Sequence, residues 1–366
     1  MQIVEAITDA RVLDHSGRPA YELRTGERYV LYDDEAHHGM AGGALRAIGP
    51  LDSMLPHYRG RDVEEPRFVL PFIGRLGDAL VAAACLAALR DRIPNCRIDV
   101  AVGRATRQLW EIIDLPITLQ SHPLPADELG RYSHYLSLEG VESIPDGGAR
   151  RLADVFSHCM HTPLPRRPAP LITPSFDVNA WLPSESNHPS VGIALGPAEN
   201  PRTYPIELVL QLAQLLIRRG VLVVLLGQAE EVGGELPTDS PRMINLVGRT
   251  ERVASLAGVV ASLDMVVGPD SFLMHLAAAV NTPFLALFTS TNPVLAGDYS
   301  MVWAVSPSLE CSPCGVATGA CPLGHGHCVA PYHSDLRPTR LCRLILSRLR
   351  TTSRGFAFAP TTVSAD

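Results

Sequence analysis

Eighteen residues near the C-terminal end hold four of the eight cysteines, in the order Cys311-x-x-Cys314-x6-Cys321-x6-Cys328, with His325 and His327 just before the last. Cys-x-x-Cys spacing lets two thiolates and the backbone between them wrap one centre, and four sulfur ligands close a tetrahedral coordination sphere. This is the pattern of a structural metal finger, because a catalytic zinc keeps a position open for water or substrate. Zinc and iron both suit tetrahedral thiolates. The competing arrangement, two disulfides, requires an oxidising compartment. Met1 to Asp9 has no basic stretch followed by an apolar one, which leads us to expect a cytoplasmic protein and so favours metal. Cys85, Cys96, Cys159 and Cys342 stand singly among apolar residues and read as small core side chains.

Two other constellations lie at turns between an apolar run and a helix. Gly268-Pro-Asp270-Ser271 precedes Phe272-Leu-Met-His275-Leu-Ala-Ala-Ala. Ser271 or Asp270 can cap that helix, whose free N–H groups and dipole suit a phosphate, and His275 follows Ser271 by one turn on the same face. An ordinary capped helix with a satisfied histidine fits these residues equally well. Asp78 follows the turn Gly74-Arg-Leu-Gly77 and opens an apolar helix. Its carboxylate could stabilise the positive end of the helix dipole or act as a general base, and the isolated residue does not decide.

These turns need strands and helices to hold them. Arg67–Ile73 reads as a strand, Ala79–Arg90 as a helix and Arg97–Val102 as the next strand, the start of a βαβ series. A helix over 105–113, a strand over 132–138 and a helix over 149–160 continue it. The rhythm restarts with strand 190–195, helix 205–219, strand 221–226, a strand around 243–247, helix 251–263, strand 264–267, helix 271–280 and strand 284–289. Seven prolines between Pro163 and Pro189 interrupt any regular element and mark a linker. Ligands of such sheets bind beyond the carboxyl ends of the strands, so the turns after Ile73, Leu195, Leu226 and Val267 are where function belongs.

We therefore expect an α/β chain of two Rossmann-like, doubly wound domains facing one another across a cleft. The divisions are a β-rich unit over 1–60, a first Rossmann-like domain over 61–162, a proline-rich linker over 163–189, a second domain over 190–335 with the cysteine finger at 306–330, and a terminal helix and flexible tail over 336–366. A chain of 366 residues is long enough for two or three domains at about 150 residues each. A net charge of −7 argues against a generic nucleic-acid binder. No apolar run approaches the roughly 20 residues of a membrane span.

Taken in order, Gly74-Arg-Leu-Gly77-Asp78, Arg202-Thr-Tyr-Pro205, Leu226-Gly-Gln-Ala-Glu-Glu231, Asn245-Leu-Val-Gly248 and Asp270-Ser-Phe-Leu-Met-His275 resemble glycosyltransferase family 9, the ADP-heptose:lipopolysaccharide heptosyltransferases. The cysteine segment is similar to the iron-binding finger of bacterial autotransporter heptosyltransferases. The resemblance implies a GT-B fold and inverting transfer of a heptose or similar sugar from an ADP-linked donor to a hydroxyl. That hydroxyl belongs to a saccharide, a lipid-linked acceptor or a protein, and a lipid-linked one would bring peripheral membrane contact. It also implies that Asp78 is the catalytic base, with no catalytic metal. Ser271 and His275 would meet the donor diphosphate beside Asp270, Arg202 would replace the family's lysine, and Glu231 or Glu230 would bind the nucleoside. Phe272 stands where the family carries glycine, and the loop Gly196–Arg202 lacks its serines and threonines. These departures motivate a rival reading, a non-catalytic GT-B-fold binding or scaffold protein that has lost donor chemistry.

Overall fold

The computed structural model describes the chain apart from residues 14–18, 62, 140–150, 166–170, 180, 183–187, 197–201, 230–235, 237–238, 251, 297–298, 315–320, 331–334 and 353–366. Two compact units meet in sequence at Thr173 and Pro174, inside the expected proline-rich linker. Described parts of that linker pack: Leu171, Ile172 and Leu182 are buried.

The first unit contains β1 (Gln2–Ala6), β2 (Ala10–Leu13), β3 (Pro19–Leu23), β4 (Arg28–Leu31), α1 (Asp33–Ala41), β5 (Leu45–Pro50), β6 (Arg67–Phe72), α2 (Leu76–Arg92), β7 (Arg97–Val102), α3 (Arg104–Trp110), β8 (Thr118–Ser121), β9 (Leu124–Pro125), β10 (His134–Tyr135) and α4 (Leu152–Met160). Strands β5-β1-β4-β9 form an antiparallel sheet, while β10-β6-β7-β8 form a parallel one. The β-rich N-terminal residues are fused to the α/β layer, since β9 from the later segment pairs with β4. Met1, Ile3, Val30 and Leu51 also share one core cluster with Val69, Ala101 and Leu124. Helix α2 is rich in Ala and Leu, which lose little on entering a helix, and it is buried on most sides. Arg90 and Arg92 in its last turn complement the dipole.

The second unit contains β11 (Ser190–Ala194), α5 (Ile206–Ile217), β12 (Leu222–Leu226), β13 (Met243–Asn245), α6 (Val253–Ser262), β14 (Met265–Pro269), α7 (Phe272–Ala279), β15 (Phe284–Leu287), β16 (Val302–Val305) and α8 (Pro338–Thr352). The sheet is parallel throughout, in the order β13-β12-β11-β14-β15-β16. Every residue of β11, β12, β14 and β15 is buried, as expected of strands covered by helices on both faces. Helices α5 and α8 pack on one face through Leu208, Leu212, Leu216, Leu341, Ile345 and Leu349.

Several elements differ from expectation. The strand expected over 132–138 is reduced to β10, although the Leu136 N–H still donates to the Val69 carbonyl of β6 at 2.8 Å. The helix expected over 105–113 starts one residue earlier and stops at Trp110. The helix expected over 149–160 is described from Leu152, residues 140–150 being outside the described set. Strand β16 and helix α1 were not anticipated from periodicity. Among the described residues no helix is long and apolar enough to cross a membrane.

Candidate functional site

In the second sheet the chain runs outward from β11 through β12 to β13, then returns to start again at β14. Strand order therefore reverses between β11 and β14, and ligands of open parallel sheets bind in the crevice beyond the carboxyl ends of such a strand pair. The residues beyond β14 are Asp270 and Ser271, and Arg202 lies on the connection that leaves β11. Close packing brings the two strand ends together at Gly268, where a Cβ would lie 2.4 Å from the Cβ of Ala194. Only glycine lets the backbones approach this far.

Arg202 and Asp270 join across the reversal. Nη1 of Arg202 donates to the Asp270 carbonyl at 3.1 Å and stands 3.6 Å from its Oδ2. Thr291, beyond β15, donates from Oγ1 to the same Oδ2 at 2.9 Å. Asp270 is thus occupied by Arg202 and Thr291. Ser271 is the N-cap residue of α7 with extended backbone, and neither it nor Asp270 closes the helix with a side-chain cap. The capping role expected of these two side chains is replaced by a cross-strand network, which leaves the α7 N-terminus with the partial positive charge that attracts an anion.

His275 lies one turn into α7 and is 9% exposed. Its Nδ1 is 2.8 Å from the Tyr299 hydroxyl, and the two rings meet edge to face at 5.7 Å. This contact orients the imidazole ring. Phe272 is half-buried. Glu230 and Glu231 lie outside the described residues, as does most of the 196–202 loop. Arg202, Asp270, Ser271 and His275 are brought to one strand-reversal site.

Asp78 occupies the corresponding position in the first unit. The parallel sheet there also reverses, between β6 and β10, and Asp78 lies in the first turn of α2, just after the Gly74–Arg75 connection that leaves β6. Oδ2 of Asp78 accepts the Arg75 backbone N–H at 2.8 Å, closing the first turn of α2. The half-buried carboxylate therefore has a local helix-stabilising role and retains acceptor capacity on its other oxygen. Gly74 sits tightly in this turn, since a Cβ would fall 2.8 Å from Cζ of Phe72 and 3.1 Å from the Asp78 Cβ.

Sequence reasoning missed two hydroxyl groups. Thr291 belongs to the buried run Thr289-Ser290-Thr291 just beyond an apolar strand, and the rule that ligand sites follow strand ends could have found it. Tyr299, which meets His275 from 24 residues away, carries no local signal.

All eight cysteines are free; Cys85, Cys96 and Cys342 are buried, and Cys159 is half-buried. In the candidate finger, backbone N–H groups of Gly326, Leu323, His325 and Gly324 surround Cys321 and lower its pKa. Burial raises that of Cys328, and so does negative charge at Cys321, Cys314 and Cys311. Sγ of Cys311 is 4.0 Å from Nε2 of His325. Among the described residues no three cysteine, histidine or carboxylate donors converge tightly enough to hold an ion. Four thiols are the donor type a thiophilic metal takes, but the described side chains do not gather them round one point.

Comparison with known proteins agrees with this geometry. Residues 151–322 match the model of glycosyltransferase family 9 (heptosyltransferase). Lipooligosaccharide heptosyltransferase 2 of Haemophilus influenzae is 38% identical over 109 residues, 28% of this chain and 30% of the relative. Lipopolysaccharide heptosyltransferase 2 of Escherichia coli K12 is 32% identical over 142 residues, 34% of this chain and 40% of the relative. These matches thus span well under half the length of either relative. Among solved structures, E. coli ADP-heptose LPS heptosyltransferase II superposes with a TM-score of 0.56 at 19% identity, covering 78% of this chain and 99% of that one. Dodecameric iron-containing heptosyltransferase TibC, solved with ADP-D-beta-D-heptose, gives a TM-score of 0.59 at 14% identity, covering 96% and 92%. The chain has the GT-B-like α/β fold of these glycosyltransferases, and over residues 151–322 it is similar to glycosyltransferase family 9 (heptosyltransferase).

Proposed function

We propose that the protein is an inverting glycosyltransferase that moves a heptose or similar sugar from an ADP-linked donor to a hydroxyl of a saccharide, lipid-linked or protein acceptor. The observation that carries this reading is the Arg202–Asp270 pair at the strand reversal between β11 and β14, beside the N-terminus of α7. The donor diphosphate lies there, with the Arg202 guanidinium and the α7 amides balancing its charge. His275, oriented by Tyr299, contacts the phosphates from the next turn of α7. Glu231 or Glu230 holds the nucleoside. Asp78 acts as general base: it takes the proton of the acceptor hydroxyl as that oxygen bonds to the anomeric carbon. The bond from that carbon to the diphosphate breaks, and ADP leaves with the electron pair.

The thiols of Cys311, Cys314, Cys321 and Cys328 would hold a structural zinc or iron ion, which would cross-link the cysteine segment and take no part in transfer. The reading places the protein in the cytoplasm, where the thiols remain reduced.

The test is donor consumption by Asp78→Asn protein. Loss of general-base catalysis lowers turnover by about 10²- to 10⁴-fold while ADP still binds. Unchanged turnover would remove Asp78 from the mechanism, and absence of both ADP binding and turnover in the unaltered protein would favour the scaffold reading.

A further inference from the structure

The cysteine segment and the donor site are not separate structures. Ser312, between Cys311 and Cys314, donates from Oγ to the carbonyl of Thr289. Thr289 begins the buried run beyond β15 whose third residue, Thr291, holds the carboxylate of Asp270. Asp270 in turn is gripped by Arg202. A path of three polar links, Ser312 to Thr289, Thr291 to Asp270 and Asp270 to Arg202, joined through the 289–291 backbone, therefore runs from the Cys-x-x-Cys turn to the arginine. The far side of the segment is tied as well: Ser308 donates to Asp335 at 2.8 Å, and Asp335 pairs with Arg340 of α8 at 3.1 Å. The backbone N–H of Ser312 closes a turn onto the Leu309 carbonyl at 3.0 Å. The cysteine turn is thus strapped between α8 and the loop that carries Thr291.

We propose that this turn braces the donor loop, with Ser312 as a positioning residue for nucleotide binding, so that constraint of the cysteines and occupancy of the donor site strengthen one another. The inference rests on the donor reading above. Buried loops held by several hydrogen bonds have few alternative arrangements, so a shift of the Thr289 carbonyl moves Thr291 and releases Asp270. A freed Asp270 carboxylate then competes for Arg202 in new geometry or faces the incoming phosphates with its own negative charge. Linkage makes the effect reciprocal: whatever the turn does for ADP affinity, ADP does for the order of the turn.

Two readouts test this. The first is the ADP dissociation constant of the unaltered full-length protein and of its Ser312→Ala and Ser312→Thr variants. The second is the backbone amide hydrogen-exchange rate of the 309–314 turn, with and without saturating ADP. Ser312→Ala weakens ADP binding by about fivefold, Ser312→Thr restores it, and ADP slows exchange in the turn by a similar factor of about five in the unaltered protein but not in Ser312→Ala. If the unaltered protein binds ADP and Ser312→Ala binds it equally well, or if ADP leaves exchange in the turn unchanged, the brace is refuted while the donor site stands. If the unaltered protein binds no ADP, the donor reading itself falls and takes the brace with it.

Discussion

Replacing Arg202 by methionine removes a cation that the structure places across the β11–β14 reversal. The guanidinium is 21% exposed and the Asp270 side chain 13%, so the pair is largely shielded from solvent. A hydrogen bond to a charged group contributes about 1.5–3 kcal/mol, which corresponds to about a 10- to 160-fold rise in the dissociation constant of ADP. Part of that loss is repulsion from the Asp270 carboxylate left beside the phosphates. Asp270→Asn in the same chain removes this charge, so the double variant recovers part of the affinity, and the cycle measures the coupling. Isothermal titration with ADP at fixed ionic strength is the assay, with thermal unfolding as the check on folding. A folded Arg202→Met protein that binds ADP as tightly as the unaltered one would refute the assignment of phosphate charge to Arg202. Equal loss in the single and double variants would refute the role given to Asp270.

The Glu35–His122 contact gives the first unit a pH dependence. Glu35 accepts from Nε2 of His122 at 3.2 Å, from the Tyr21 hydroxyl at 2.8 Å and from the Tyr32 N–H at 3.1 Å. Burial pushes its carboxyl up, but the His122 contact, with help from Tyr32 and Tyr21, outweighs this and holds it below the ordinary carboxylate value. A carboxylate depressed on folding contributes stability above its unfolded pKa and loses it as pH falls through the folded one. Thermal scans from pH 6 down to pH 3 will show this loss in the unaltered protein and a flatter profile in Glu35→Gln, which is destabilised by about 3–5 kcal/mol at pH 6. In the cysteine segment, elemental analysis of purified Cys314→Ser protein will show metal content well below the one ion per chain expected of the unaltered protein; full retention would mean that the four thiols do not form the finger.

The parallel core was legible because a strand buried on both faces must be apolar along its length, as in Leu222–Leu226 and Phe284–Leu287. Helix α2 was legible from its alanines and leucines. Helix α1 was not: it buries a single residue, Ala36, among Asp, Glu and His, so no apolar stripe announces it. Strand β9 joins the N-terminal sheet through pairing with a strand almost a hundred residues earlier, which local periodicity does not encode. Of the candidate site, Asp78, Arg202, Asp270, Ser271 and His275 were singled out from ordered motifs. The strand order that gathers the last four was not, nor were the Thr291 and Tyr299 hydroxyls that hold Asp270 and His275 in place.

The central claim is that the reversal between β11 and β14 binds the diphosphate of an ADP-linked sugar. Titration of the full-length protein with ADP, UDP and GDP tests it most directly. The account predicts saturable, one-to-one binding of ADP that weakens in both Arg202→Met and His275→Ala, with UDP and GDP bound at least about tenfold more weakly, a difference of about 1.4 kcal/mol. Absence of binding by all three nucleotides, or ADP binding indifferent to both substitutions, would contradict it.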